Sequence, residues 1–156
     1  MLKIVKILLI YFSFILSFAK DEIEISSETM EWKREESIAI AIGEAKAVQG
    51  NRVLSADKII IFFNEKKDIK KIYKLDASGK VRFTSGEQSA SGNNATYFVD
   101  NETIIIKGNV KLEREDSYMS GEELSIDLKN NSSKLISSNK SGKVRAKYKT
   151  EDKNND

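Results

Sequence analysis

The chain is 156 residues long, with 26 basic and 24 acidic residues, and it has no histidine, cysteine or proline. Those absences exclude disulfides, thiolate metal sites, lipid attachment through an N-terminal cysteine, and any Ser-His-Asp or Cys-His catalytic arrangement. The length suits one domain, and no strand in it loses a backbone donor to proline.

The first element is an export signal over residues 1–19. Lys3 and Lys6 give a positive start, Ile7 to Phe18 an apolar run, and Ser17 and Ala19 the small residues that precede cleavage, so the mature chain is expected to begin at Lys20. A membrane-spanning helix needs roughly 20 apolar residues. This run is shorter, contains Ser13 and Ser17, and meets Asp21, Glu22 and Glu24 directly afterwards. Removing Lys3 and Lys6 lowers the basic count from 26 to 24, equal to the acidic count. The exported domain is then formally neutral and carries no electrostatic footprint for nucleic acid.

A pattern written three times follows, anchored on Gly43, Gly79 and Gly108. Apolar or small residues stand two and four positions after each glycine: Ala45 and Ala47, Val81 and Phe83, Val110 and Leu112. Twelve positions on is a serine (Ser55, Ser91, Ser120), followed by a small residue (Ala56, Gly92, Gly121). Apolar residues return at offsets 16, 18 and 20, as Ile59, Ile61 and Phe63, then Ala95, Tyr97 and Val99, then Leu124, Ile126 and Leu128. The alternating period belongs to strands, and each copy reads as two strands joined by a polar turn. The pairs are 43–48 with 53–63, 73–84 with 90–99, and 103–113 with 119–128, linked by the polar segments 64–68, 100–102 and 129–134. Every connection resembles a hairpin, so the sheet is expected to be antiparallel. Half copies flank the three. Ser26, Ser27, Met30 and Trp32 match the second strand of a unit, and Gly142, Val144 and Ala146 the first. The charged segment 150–156 is expected to be a disordered tail.

Residues two apart share a face of a strand. Ile104, Ile106, Gly108, Val110 and Leu112 form one such face; Tyr73, Leu75, Ala77, Gly79, Val81 and Phe83 another. Around Gly43 the corresponding face is small, while Ile38, Ile40 and Ile42 occupy the opposite side. A strand apolar on both faces is covered twice or meets a partner.

Catalytic chemistry has little to stand on. Asp and Glu fall mostly in turns or on polar strand faces, where solvent gives no reason for a shifted pKa. Neither a calcium-loop spacing nor a histidine cluster occurs. The run Lys66, Lys67, Lys70, Lys71 and Lys74 reads as a solvated hairpin end, with phosphate contact as the alternative. Ser55, Ser91 and Ser120 read as bends where the next small residue permits close backbone approach.

The glycine-first unit, as in Gly108-Asn109-Val110-Lys111-Leu112 with Ser120-Gly121-Glu122-Glu123-Leu124-Ser125-Ile126-Asp127-Leu128, resembles the repeat of the LptA/OstA-like family of periplasmic lipopolysaccharide-transport proteins. So does Gly43-Glu44-Ala45-Lys46-Ala47 with Leu54-Ser55-Ala56-Asp57-Lys58-Ile59. The likeness covers about residues 26–146 and departs from the family pattern after Ser137. It implies an all-β protein, an antiparallel β-jellyroll over residues 20–149 folded like an open V. The implied activity is a non-enzymatic carrier without cofactor, whose apolar slot shields lipopolysaccharide acyl chains between the membranes. Implied partners are LptC-like inner-membrane and LptD-like outer-membrane jellyroll domains, with head-to-tail self-assembly through free sheet edges. Ile59, Ile61, Phe63, Val81, Phe83, Tyr97, Ile106, Val110, Leu112, Leu124 and Ile126 are then expected to line the slot, and Ile38, Ile40 and Ile42 to meet the neighbour. The alternatives are an LptC-like anchored component, which would keep the N-terminal segment as a helix, and a structural β-solenoid without cargo. Glycine spacings of 36 and then 29 residues disfavour the solenoid.

Overall fold

A computed structural model describes residues 22–66, 69–137 and 142–150. The export signal expected over residues 1–19 lies outside the described residues, as do Lys67 and Asp68 and the tail beyond residue 150. Apolar residues at alternating positions, punctuated by polar turns, give strands throughout. These are β1 (Glu24–Ser26), β2 (Thr29–Lys33), β3 (Ile38–Gln49), β4 (Arg52–Lys66), β5 (Ile69–Ser85), β6 (Gln88–Phe98), β7 (Thr103–Arg114), β8 (Ser117–Asp127), β9 (Ser132–Ile136) and β10 (Arg145–Tyr148). Strands β3 to β8 pair in sequence order as a meander. β1 and β2 lie along the outer side of β3, and β9 and β10 along the outer side of β8. All pairings among the described residues are antiparallel, so this is the open jellyroll sheet the repeat predicts and not a stack of parallel rungs.

The strands outrun their apolar stretches. β3 begins at Ile38, and the backbones of β4 and β5 pair out to Lys66 and Ile69, where the sequence suggests a connection. Ladder hydrogen bonds need no apolar side chain, so pairing continues into charged ends. Tyr73 breaks the simple alternation. A bulge opposite Phe62 and Phe63 sets Ile72 against the core and turns Tyr73 outward, its ring 6.3 Å from that of Phe62.

Each repeat glycine opens a larger bulge. Gly43, Gly79 and Gly108 have φ of +83°, +79° and +83°, and Glu44, Lys80 and Asn109 after them are also left-handed. The register shifts at each pair, two residues standing against one on the neighbouring strand. The two bulge residues keep the alternation along their own strand, so Ala41 and Ala45 are both buried on the same side. The single residue opposite reverses it. Inward positions on β4, β6 and β8 are therefore three apart at this point: Ala56 and Ile59, Gly92 and Ala95, Gly121 and Leu124. That accounts for the odd step between offsets 13 and 16 in the repeat.

The bulges lie side by side and make a fold line. At one end it passes through Glu28, between β1 and β2, where the Glu28 N–H donates to the Gly43 carbonyl over 2.9 Å. At the other it falls between β9 and β10. The line divides the sheet into two arms. One contains β2, β9, the first halves of β3, β5 and β7, and the second halves of β4, β6 and β8. The other contains β1, β10 and the remaining halves. Both arms turn apolar faces inward, with Ile59, Ile61, Leu75, Ile104, Ile106, Leu124 and Ile126 on the first and Leu54, Val81, Phe83, Val110 and Leu112 on the second.

Candidate functional site

Every residue expected to line a slot lies on this inner face. Ile59, Ile61, Val81, Phe83, Tyr97, Ile106, Val110, Leu112, Leu124 and Ile126 are buried, and Phe63 is half-buried against the same core. Leu54, Leu75 and Ile104 join them, a contribution that alternation from the neighbouring inward residues carries but that the repeat offsets alone do not mark. The arms are in contact. The space enclosed among Ala47, Leu54, Leu75, Phe83 and Tyr97 is about 10 Å³, which is room for about one water and not for an acyl chain. Anything long and apolar enters only if the arms part.

The strand ends opposite the fold line form the mouth. Here Tyr97 Oη donates to Gln49 Oε1 over 2.7 Å, tying β6 of one arm to β3 of the other. Arg52 donates to Glu102 Oε2 over 3.2 Å and reaches Tyr97 Oη at 3.5 Å. Burial works against the Arg52 charge, but its hydrogen bonds to Glu102 and Tyr97 outweigh that and hold its pKa above the ordinary value. Burial pushes the Tyr97 phenol up, with Arg52 pulling the other way. Beside this tie is an opening of about 370 Å³ lined by Ile23, Ile72 and Val99, with Glu22, Lys70 and Lys71 around it. Lys71 is ion-paired with Asp100. Lys74 points elsewhere. It sits on the outer face, 3.8 Å above the Phe62 ring and 3.1 Å from Asp76 Oδ2, so the basic run is not one patch.

Ile38, Ile40 and Ile42 lie on the outer face of β3, opposite Phe62, Ile60 and Lys58. β3 is bonded along both sides, by β4 and by β1 and β2, so the sheet edge itself belongs to β1 and β2. On that edge Met30 and Trp32 oppose the buried Ala41 and Ala39 yet remain exposed. Trp32 is 59% exposed and stacks on Phe63 with ring centroids 5.3 Å apart. The other edge leaves Val144 and Tyr148 exposed. The sequence matches Met30, Trp32 and Val144 to the repeat, but only the folded sheet shows that β2, which carries the first two, and β10, which begins just after Val144, are terminal.

Residues 24–132 match the family described as the LptA/LptD N-terminal domain of lipopolysaccharide transport proteins. The chain belongs to this family. Among its relatives, an uncharacterised protein of Rhizobium meliloti (strain 1021) is 31% identical over 112 residues, 68% of this chain and 60% of that protein. The LPS-assembly protein LptD of Nitrosomonas europaea is 33% identical over 61 residues, 39% of this chain and 8% of LptD. The chain thus spans less than two thirds of the length of these relatives. Among solved structures, LptH of Pseudomonas aeruginosa, the LptA-homologous periplasmic component of a lipopolysaccharide transport device, superposes with a TM-score of 0.73. It covers 83% of this chain and 96% of LptH at 13% identity, a likeness of fold. The family is one of lipopolysaccharide transport proteins.

Proposed function

We propose that this protein is a non-enzymatic periplasmic carrier that shields lipopolysaccharide acyl chains between its two arms. The observation that carries the reading is the continuous apolar inner face of an open sheet, held together at the mouth by a few polar contacts. Burying acyl chain is favourable by roughly 0.8 kcal/mol per methylene. A multiply acylated lipid therefore does not cross water unaided, and a slot lined by Ile59, Ile61, Phe63, Val81, Phe83, Tyr97, Ile106, Val110, Leu112, Leu124 and Ile126 removes that barrier. The reading includes export behind a signal cleaved near Ala19, in agreement with the periplasmic placing of LptH.

The terminal strands supply the second half of the role. Backbone groups on the outer sides of β1 and β2 and of β9 and β10 suit strand addition, which joins like domains head to tail and places LptC-like and LptD-like jellyrolls at the two ends. Ile38, Ile40 and Ile42, one strand in from the first edge, then support the joint from the outer face. A photo-crosslinking residue at Ile61, Tyr97 or Ile126 should give a lipopolysaccharide adduct in cells. Its absence at all three positions would count against the carrier role.

A further inference from the structure

One rank of residues in register runs along the mouth of the second arm, buried at Gln88 and exposed at Arg114, and it is polar from strand to strand. Register pairs Arg52 with Ser85, Ser85 with Gln88, Gln88 with Arg114, and Arg114 with Ser117. Each shares its strand face with the buried apolar residue two positions deeper: Leu54, Phe83, Ala90 and Leu112 for the first four. The rank is rich in donors. Arg52 has a side chain only 22% exposed and holds Glu102 of the opposite arm. Gln88 is 9% exposed, and its Nε2 is buried without an acceptor among the described residues. A buried amide N–H lacking an acceptor is costly, and most such groups have a partner. Arg114 stands in the same rank, about 14 Å from Arg52 by three strand spacings.

We propose that Arg52, Gln88 and Arg114 form the headgroup site of the slot and bind the phosphate-bearing polar end of an acylated glycolipid. This rests on the carrier reading and specifies its ligand. The acyl chains lie on the apolar rows below, and the polar end stays at the mouth. Phosphate oxygens displace Glu102 from Arg52 and accept from Gln88 Nε2, while Arg114 takes a second anionic group. Guanidinium suits this role because its fork of donors meets phosphate bidentately. Release of Glu102 also removes a tie between the arms, so polar recognition and parting of the arms occur together.

The test uses the purified protein with three probes: bis-phosphorylated lipid A, the same lipid with its phosphates removed, and inorganic phosphate alone. The double variant R52Q/R114Q should bind the phosphorylated lipid about tenfold or more weakly, and Q88M about threefold more weakly, while the dephosphorylated lipid is bound at least as tightly as by wild type, because R52Q also frees the tie to Glu102. R52K, which keeps the charge, should retain part of the preference. Thermal unfolding of each variant establishes that the fold is intact. Equal loss for both lipids, or no loss, overturns the assignment and leaves Arg52 a tie between arms. Inorganic phosphate binding as tightly as the phosphorylated lipid overturns the lipid as its source. A wild-type protein that takes up neither lipid overturns the carrier reading itself.

Discussion

Asp57 lies over the α-carbon of Gly79: a β-carbon built there would stand 2.5 Å from Asp57 Oδ2 and 3.0 Å from Asp57 Cβ. Asn93 occupies the same place over Gly108, and Glu28 over Gly43. In each case a polar side chain, from the preceding strand for Gly79 and Gly108 and from the β1–β2 connection for Gly43, caps the left-handed glycine, so the fold line has no room for a side chain. Gly79→Ala should therefore lose about 2–4 kcal/mol of stability, combining left-handed strain with the clash. Gly86, in a turn with φ +58° and nothing within 4 Å, isolates the first term. Gly86→Ala should cost only about 1–2 kcal/mol. Urea unfolding of the two variants, and of Asp57→Ala in the Gly79→Ala background, measures the difference. Equal losses, with no recovery in the double variant, would show that Asp57 does not confine Gly79.

The repeat made much of this legible before folding. Fixed offsets from Gly43, Gly79 and Gly108 marked the inward rows and the bend, because strand alternation is local and two-residue bulges preserve it. Tyr73 was not legible, since the bulge at Phe62 and Phe63 that turns it outward depends on pairing between strands. Nor were Arg52, Gln88 and Trp32. Their significance lies in non-local facts: which strand ends meet across the mouth, and which strands remain at the edge. Polar residues beside a hairpin turn ordinarily read as solvated, and for Gln88 that expectation fails, since the folded chain buries it.

The second small position of the repeat makes a different prediction. A β-carbon on Gly92 would lie 2.5 Å from Ile106 Cγ2 and 3.2 Å from the Gly108 carbonyl oxygen. No left-handed φ is involved, so Gly92→Ala should act by overpacking alone and cost about 1–3 kcal/mol. Ile106→Leu, which has a single γ carbon, should offset part of that loss in the double variant. Strict additivity of the two substitutions in a denaturant-melt cycle would contradict the contact.

The Tyr97 phenol gives the mouth a pH signature. Burial raises its pKa above that of an ordinary phenol, against the opposing pull of Arg52. A phenol whose folded pKa exceeds its unfolded one contributes stability that is complete below the unfolded value and is lost as pH rises through the folded value. Wild-type stability should fall through this alkaline window more steeply than that of Tyr97→Phe. Tyr97→Phe should itself cost about 1 kcal/mol at neutral pH by removing the bond to Gln49. Chemical denaturation across the alkaline range compares them, and parallel curves would exclude Tyr97 as the titrating group.

Trp32 is the single tryptophan of the chain and stands on the sheet edge, half over Phe63 and half in solvent. That placement makes it a reporter for head-to-tail assembly. A neighbour adding a strand to β2 would cover the indole, so its emission should shift to shorter wavelength as protein concentration rises, with the same midpoint as the rise in mass by light scattering. If the proposed joint forms on β2, Trp32→Ala removes contact area from it. Aromatic residues so placed contribute about 2 kcal/mol or more to association, so the variant should need about thirtyfold more protein to assemble. Because the side chain is already largely exposed, its thermal midpoint should change little. Assembly that proceeds while the emission stays fixed, or that Trp32→Ala leaves untouched, would place the joint at the β9 and β10 edge alone or on the outer face around Ile40.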